Sequence, residues 1–460
     1  MIYLTADIGS TYTKLAATDS ESGSILGTAC AFTTIGTDVR EGFHAALRKL
    51  ESAIGELSYD RLICCSSAAG GLKMVALGLV PELTAKAARL AASSAGAKVV
   101  KTYSFEISMA EQMEIEKISP DLILLCGGTD GGNREVITSN AKRLCLIKGD
   151  FAIIAAGNKS ASHELQDIFT SSGKQFVITE NVMPEFNKLN IEPARKCIEE
   201  LFINRIVEAK GLSLLQKMSG YEIIPTPLAV MRACELLSKG AAGESGMGDL
   251  MAVDLGGATT DIYSMSEGRP SLENMLPKGL PEPYAKRSVE GDLGMRYSLP
   301  SLKEATDIRI ISALSDVPAD QVEEWLDQCI ANPDTVAVED SPQQRVEEAL
   351  ARVAIEIATE RHSGVVESVY TPLGQMFALT GKDLSEVPAV IGIGGALINS
   401  KDPVKILAGS KYDSQRFMYA KPRSPKYYLD SKYIFASMGL LSSVDPMLAL
   451  KILKRELKEI

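Results

Sequence analysis

Two stretches far apart in this chain follow the same short pattern: Asp7-Ile8-Gly9-Ser10-Thr11-Tyr12-Thr13-Lys14 and Asp254-Leu255-Gly256-Gly257-Ala258-Thr259-Thr260-Asp261. In each, an apolar run ends at an aspartate, glycines and hydroxyl residues follow, and an apolar run returns. Apolar runs joined by so short a link predict a β-hairpin with a carboxylate at its mouth. A third segment, Gly392-Ile393-Gly394-Gly395-Ala396, follows the apolar pair Val390-Ile391. One Asp-Gly turn is an ordinary loop, but two matched copies and a third glycine loop in fixed order constrain the whole chain.

The residue types suit a nucleotide with Mg²⁺. Glycine lets backbone N–H groups approach phosphates closely. Mg²⁺ keeps most of its waters and accepts one or two carboxylates, a role that fits Asp7 and Asp254. Gly9, Ser10, Thr11 and Thr13 of the first segment, and Gly256, Gly257, Ala258, Thr259 and Thr260 of the second, are the expected phosphate holders. Lys14 either reaches a phosphate oxygen or sits on the hairpin surface. Asp254 is the first candidate to orient an attacking water and Asp261 the second, with a structural role for Asp261 equally open. Glu290 and Asp292 either order water near the γ-phosphate or form an acidic turn packed on the second loop.

Together these segments resemble the actin, sugar kinase and heat-shock chaperone ATPase superfamily. The resemblance implies two phosphate loops and a late adenosine loop, here Gly392, Gly394, Gly395 and Ala396. Ile223-Ile224-Pro225-Thr226-Pro227-Leu228-Ala229 resembles its connecting element. A narrower match rests on Ser288-Val289-Glu290-Gly291-Asp292-Leu293-Gly294-Met295-Arg296, Glu360-Arg361-His362 and Thr380-Gly381-Lys382-Asp383-Leu384. These resemble the MutL family linked to glutamate mutase, unrelated to the mismatch-repair protein of the same name. The resemblance implies an ATPase that reactivates an adenosylcobalamin-dependent aminomutase. None of His44, His163 and His362 lies in the D-x-H-x-x-G context of cobalamin-binding domains, which places that cofactor on the partner. A small-molecule kinase and a filament-forming or scaffold ATPase are the alternatives, because one fold hosts many functions.

The expected fold class is α/β: duplicated ribonuclease H-like, actin-like ATPase halves around a nucleotide cleft, with a parallel α/β domain inserted in the first half. Residues 1–66 and 222–247 form the expected first half, 67–221 the insertion with its helices, and 248–460 the second half. The insertion is read from apolar strands at 121–126 and 151–155 alternating with helical segments. Its 127–132 loop lies at the sheet edge that binds ligands in such domains, so it would take a second nucleotide or a partner's cofactor, or else be a tight turn. Asn133 or Thr138 is expected to cap the next helix. Over 193–218, Ile198, Leu201, Phe202 and Ile206 form a helical apolar stripe.

A net charge of −11 argues against a broad nucleic-acid surface. The eight cysteines lack metal-like spacing and read as buried thiols in a reducing cytoplasm. The N-terminus carries no leader pattern, and no apolar run suits a membrane span. A helix over 343–362 is expected to bury Val346, Leu350, Val353 and Ile357, with Glu347, Glu348, Arg352, Glu356 and Glu360 solvated. Gly364 would cap it, while Arg361 and His362 complement its dipole, unless Arg361 lies near adenine.

Overall fold

In the computed structural model, residues 1–9, 11–34, 38–67, 73–207, 212–372 and 374–460 are described. The first Asp-led segment becomes the hairpin of β1 (Ile2–Ile8) and β2 (Tyr12–Asp19), which β3 (Ser24–Phe32) extends into an antiparallel meander. The helix Val39–Ile54 follows. Asp38 starts it by accepting the Arg40 N–H at 2.9 Å, and its buried Phe43, Ala46 and Leu50 recur at helical spacing. β4 (Arg61–Ser66) then pairs parallel with β1.

The chain next builds a separate parallel sheet from β5 (Lys73–Gly78), β6 (Lys98–Ser104), β7 (Leu122–Leu125), β8 (Ala152–Ala155) and β9 (Phe176–Ile178). Its order is β6-β5-β7-β8-β9, the doubly wound arrangement, and β7 and β8 are buried along their whole length. β10 (Ile224–Pro225) returns to pair parallel with β4. These strands lie in a unit of Met1–Ala233, Gly279–Pro283 and Ala436–Ile452.

A second unit comprises Cys234–Lys278, Tyr284–Phe435 and Leu453–Ile460. It opens with a small hairpin of β11 (Gly240–Ala241) and β12 (Glu244–Ser245). The second Asp-led segment joins β13 (Leu250–Leu255) to β14 (Thr260–Met265). After these come β15 (Met275–Lys278), β16 (Ala285–Glu290), β17 (Val365–Thr371), β18 (Gly374–Thr380), β19 (Ala389–Ile393), β20 (Lys426–Leu429) and β21 (Lys458–Glu459). The main sheet runs β16-β14-β13-β19-β20-β21, and β15-β18-β17 form a smaller one. Three antiparallel strands followed by two parallel ones recur as β3-β2-β1-β4-β10 and β16-β14-β13-β19-β20. That shared order is ribonuclease H-like, so the repeated motif marks a repeated fold.

Several local alternatives are decided by the structure. The 127–132 loop is a tight turn held by side chains from later segments. The Asn158 side chain accepts from the Gly131 N–H at 3.1 Å and donates to the Gly132 carbonyl at 2.9 Å, while Asn181 donates to the Gly128 carbonyl and to Asp130, both at 3.0 Å. Asn133 does the capping, accepting the Val136 N–H at 3.2 Å, whereas Thr138 lies within the helix Glu135–Leu146. Ile198 and Leu201 enter the core; the side chains of Phe202 and Ile206 lie outside the described ones. Five of the eight cysteines are buried, but Cys30, on an edge strand, is exposed.

The helix Pro342–His362 departs furthest from its expected form. Val346, Leu350 and Val353 are buried as periodicity demands. Its glutamates at 347, 348, 356 and 360 are paired instead of solvated: Glu347 with Arg296 at 2.8 Å, Glu348 with Ser400 at 2.6 Å, and Glu356 and buried Glu360 with Arg416 at 3.2 and 2.6 Å. Neighbouring elements cover more than one of its faces. The helix ends at Ser363 in an extended conformation, without a left-handed cap. Glycine at 364 serves close packing, since a Cβ there would lie 2.6 Å from the Leu379 Cδ1.

Candidate functional site

The two hairpins have the same pairing register. The Gly9 N–H donates to the Tyr12 carbonyl at 3.0 Å, and the Gly256 N–H to the Thr259 carbonyl at 2.9 Å. Cross-strand pairs are Asp7 with Lys14 and Ile8 with Thr13, against Asp254 with Asp261 and Leu255 with Thr260. Asp7 and Asp254 therefore hold equivalent positions, and Asp261 stands where the first hairpin has Lys14. Ser10 lies outside the described residues.

Asp7 is buried at the end of β1. Its Oδ1 accepts the Thr226 hydroxyl at 2.7 Å and the Cys65 thiol at 3.4 Å, and its Oδ2 lies 3.8 Å from the Lys14 ammonium. Burial, reinforced by the Asp7 carboxylate, pushes the Cys65 thiol well above its ordinary range, so it stays a donor. Neither contact is visible in sequence. Thr226 belongs to the recognised connecting segment, but only strand pairing brings it to Asp7.

The expectation that both inner threonines offer hydroxyls to phosphate is corrected. Thr13 and Thr260 are fully buried; the Thr13 hydroxyl bonds that of Thr33 at 2.9 Å, and Thr260 donates to the Leu293 carbonyl at 2.7 Å. Alternation along a strand turns them inward. Thr11 and Thr259 remain partly exposed at the hairpin ends, with the Thr259 hydroxyl 3.0 Å from Asp261.

The second hairpin is gripped from one side by the segment after β16. The Met295 N–H donates to the Gly256 carbonyl at 3.1 Å, those of Arg296 and Tyr297 to the Gly257 carbonyl at 2.8 Å, and the Ser298 hydroxyl to the Ala258 carbonyl at 2.6 Å. A trans peptide directs each C=O opposite to the following N–H. The N–H groups of Gly257, Ala258 and Thr259 thus point away from the gripping segment, on the side where successive backbone donors can serve an anion.

Beside this hairpin runs β19, with Ile393 opposite Asp254. Gly394 has φ 114°, and a Cβ on it would overlap the Leu255 carbonyl, so only glycine brings this loop against the hairpin. Gly395 opens the short helix Gly395–Ile398, which contains the partly buried Ala396. Gly392 lies within β19.

Asp254 is partly exposed, whereas Asp261 is buried and bonded to Arg287, with Nη2 at 2.6 Å and Nε at 2.8 Å from Oδ1. This gives Asp261 an anchoring role. Arg361 donates through Nη1 to Glu290 at 2.7 Å and Asp292 at 2.8 Å, holding the acidic turn after β16. Burial raises the Glu290 carboxyl, and Arg361 partly offsets it.

The three segments of the narrower sequence match converge on one buried cluster. The His362 ring nitrogens bond Ser288 at 2.7 Å and Ser264 at 2.8 Å, and the buried Lys382 ammonium reaches the Tyr284 carbonyl at 2.6 Å and the Ser264 carbonyl at 3.2 Å. Burial, with Lys286 and Lys382 nearby, drives His362 well below 6.5, so the ring is neutral and adds no charge to the helix end. The unfolded chain takes up a proton near 6.5 where the folded chain does not, so this contribution is complete above that pH and lost as pH falls below it. Urea unfolding from pH 7.5 to 5.5 is expected to show stability declining, with His362 contributing up to about 1.4 kcal/mol per pH unit. His362→Asn should flatten that slope; equal slopes in the two proteins would refute the assignment.

A family model described as "MutL protein" matches residues 3–457. Protein MutL of Clostridium tetanomorphum is 46% identical, with 100% of this chain and 99% of that protein covered. Among solved structures, the activator of 2-hydroxyisocaproyl-CoA dehydratase from Clostridium difficile with bound ADPNP matches at TM-score 0.33 and 10% identity, covering 100% of this chain and 99% of that one. A ligand-bound xylulose kinase from Lactobacillus acidophilus matches at TM-score 0.35 and 10% identity, covering 100% and 92%. The fold assignment rests on the strand order described above.

Proposed function

This chain belongs to the MutL protein family, and from that premise we propose that it is a Mg²⁺-dependent ATPase that reactivates an adenosylcobalamin-dependent aminomutase such as glutamate mutase. The single observation carrying the nucleotide reading is the second hairpin, whose tip N–H groups face away from the segment gripping its carbonyls. The glycine loop beside it, 392–396, would receive the adenosine. Gly256, Gly257, Ala258 and Thr259 would hold phosphates mainly through backbone N–H groups, and Gly9, Ser10, Thr11 and Lys14 would do the same from the first hairpin. Asp7 and Asp254 are the carboxylates that would hold Mg²⁺, largely through its waters. Mg²⁺, when bound, would supply charge neutralisation at the phosphates.

Asp254 would also orient the attacking water, with Asp261 fixed by Arg287 to keep the return strand in place. Positioning and charge account for most of the rate in such chemistry. To couple hydrolysis to work, the mutase must bind the ATP and ADP states with different affinity. The mutase itself is inferred from the family resemblance of residues 288–296, 360–362 and 380–384.

Phosphate release should be measured with Mg²⁺ and ATP, alone and with an inactivated adenosylcobalamin-dependent aminomutase. Stimulated hydrolysis and restored mutase turnover are the expected result. Hydrolysis indifferent to the mutase would point to a kinase or another partner, and no ATP binding would end the nucleotide reading.

A further inference from the structure

Asp7 and Asp254 occupy equivalent positions but unlike surroundings. Parallel pairing places Cys65 of β4 opposite Asp7, whereas the equivalent neighbour of Asp254 on β19 is the apolar Ile393. β10 pairs next to β4, with Ile224 opposite Cys65 and Pro225 opposite Ser66, and the chain then enters the helix Thr226–Lys239. Thr226 stands between Pro225 and Pro227, whose rings restrict the backbone on both sides of it. Its hydroxyl is thereby delivered to Asp7 by the order of three strands.

Both donors choose the same oxygen. Thr226 Oγ1 lies 2.7 Å and Cys65 Sγ 3.4 Å from Asp7 Oδ1. At Oδ2 stands the Lys14 ammonium at 3.8 Å, beyond hydrogen-bond length. A buried carboxylate costs free energy unless its oxygens are partnered, so the half left incompletely partnered is the half suited to a cation or its water. Among the described residues no hydrogen bond is made to Oδ2. An incompletely partnered carboxylate oxygen is a hard donor of the kind that a divalent ion, or a water bound to it, accepts.

We propose that Thr226 is a positioning residue, assisted by Cys65, that locks Asp7 in the rotamer presenting Oδ2 to the divalent cation of the bound nucleotide. The inference rests on the nucleotide reading above and gives Asp7 the duty of a fixed ligand, held by Thr226 and Cys65. Groups of this kind, which hold a metal ligand without touching the metal, set affinity by fixing the ligand's orientation.

The test uses the full chain, a non-hydrolysable ATP analogue and Mn²⁺ as a paramagnetic probe, with free Mn²⁺ read by electron paramagnetic resonance. Thr226→Val should weaken Mn²⁺ binding roughly tenfold while leaving metal-free analogue affinity near the wild-type value. Thr226→Ser, which keeps the hydroxyl, should restore the ion's affinity, and thermal melting shows whether each variant is folded. If the valine variant fails to fold, Cys65→Ala carries the test, with weaker Mn²⁺ binding expected and wild-type affinity overturning the proposal. Undiminished binding by folded Thr226→Val, or no recovery in Thr226→Ser, overturns this inference alone. Absence of Mn²⁺–analogue binding by the wild-type chain overturns the nucleotide reading and this inference with it.

Discussion

Asparagine in place of Asp254 is expected to lower ATP turnover by about two to three orders of magnitude, the usual cost of removing one preorganised electrostatic group from a reacting centre. The substitution keeps the shape and removes the charge. Asp254 is the last residue but one of β13, near the hairpin tip, and is partly exposed, and asparagine fills the same volume. Backbone pairing of β13 with β14 and β19 is untouched. The melting temperature should therefore stay close to that of the wild type, while phosphate release falls. Turnover within threefold of wild type in a folded protein would remove Asp254 from the mechanism.

Removal of the Arg287 side chain should instead damage the fold. Arg287 and Asp261 have side-chain exposures of only 4% and 10%, and their nearest contact is 2.6 Å. Burial opposes the Arg287 charge, yet Asp261 beside it leaves the guanidinium raised above its ordinary range. Breaking a buried pair from one side strands the other charge, at a cost of about 3–5 kcal/mol. At roughly 2–4 °C per kcal/mol for a domain of 150–250 residues, Arg287→Met should melt roughly 6–20 °C below wild type. Adding Asp261→Asn should recover much of that loss, because the buried charge is then gone. Equal melting of wild type and Arg287→Met would show that the pair contributes little. Since Thr259 also bonds Asp261, the single variant should lose hydrolysis as the return strand shifts.

Comparison of the two hairpins shows which information is local. The Asp-led pattern marked both hairpins, their Asp7 and Asp254 mouths and the repetition of the fold, because strand alternation and turn chemistry operate over a few neighbouring residues. The same applies to the helix Val39–Ile54, whose Asp38 cap and apolar spacing are written in consecutive turns. β15 lies outside this local information, because its pairing with β18 joins residues about a hundred positions apart.

The partners of the site residues were decided elsewhere. Thr226 on Asp7, Arg287 on Asp261 and Thr33 on Thr13 all come from strands or segments placed by sheet order, which no local pattern encodes. Charge is equally ambiguous along a helix: the acidic positions of Pro342–His362 have the spacing of a wet face, but Arg296, Ser400 and Arg416 arrive from other segments to meet them. His362, read as a cation at a helix end, became a buried neutral ring for the same reason. By itself the sequence determined where the chain turns, which faces are apolar and that the unit is repeated, since these depend on neighbours a few residues away. Tertiary structure alone decided which polar groups meet, because burial and long-range pairing set the protonation and orientation of each.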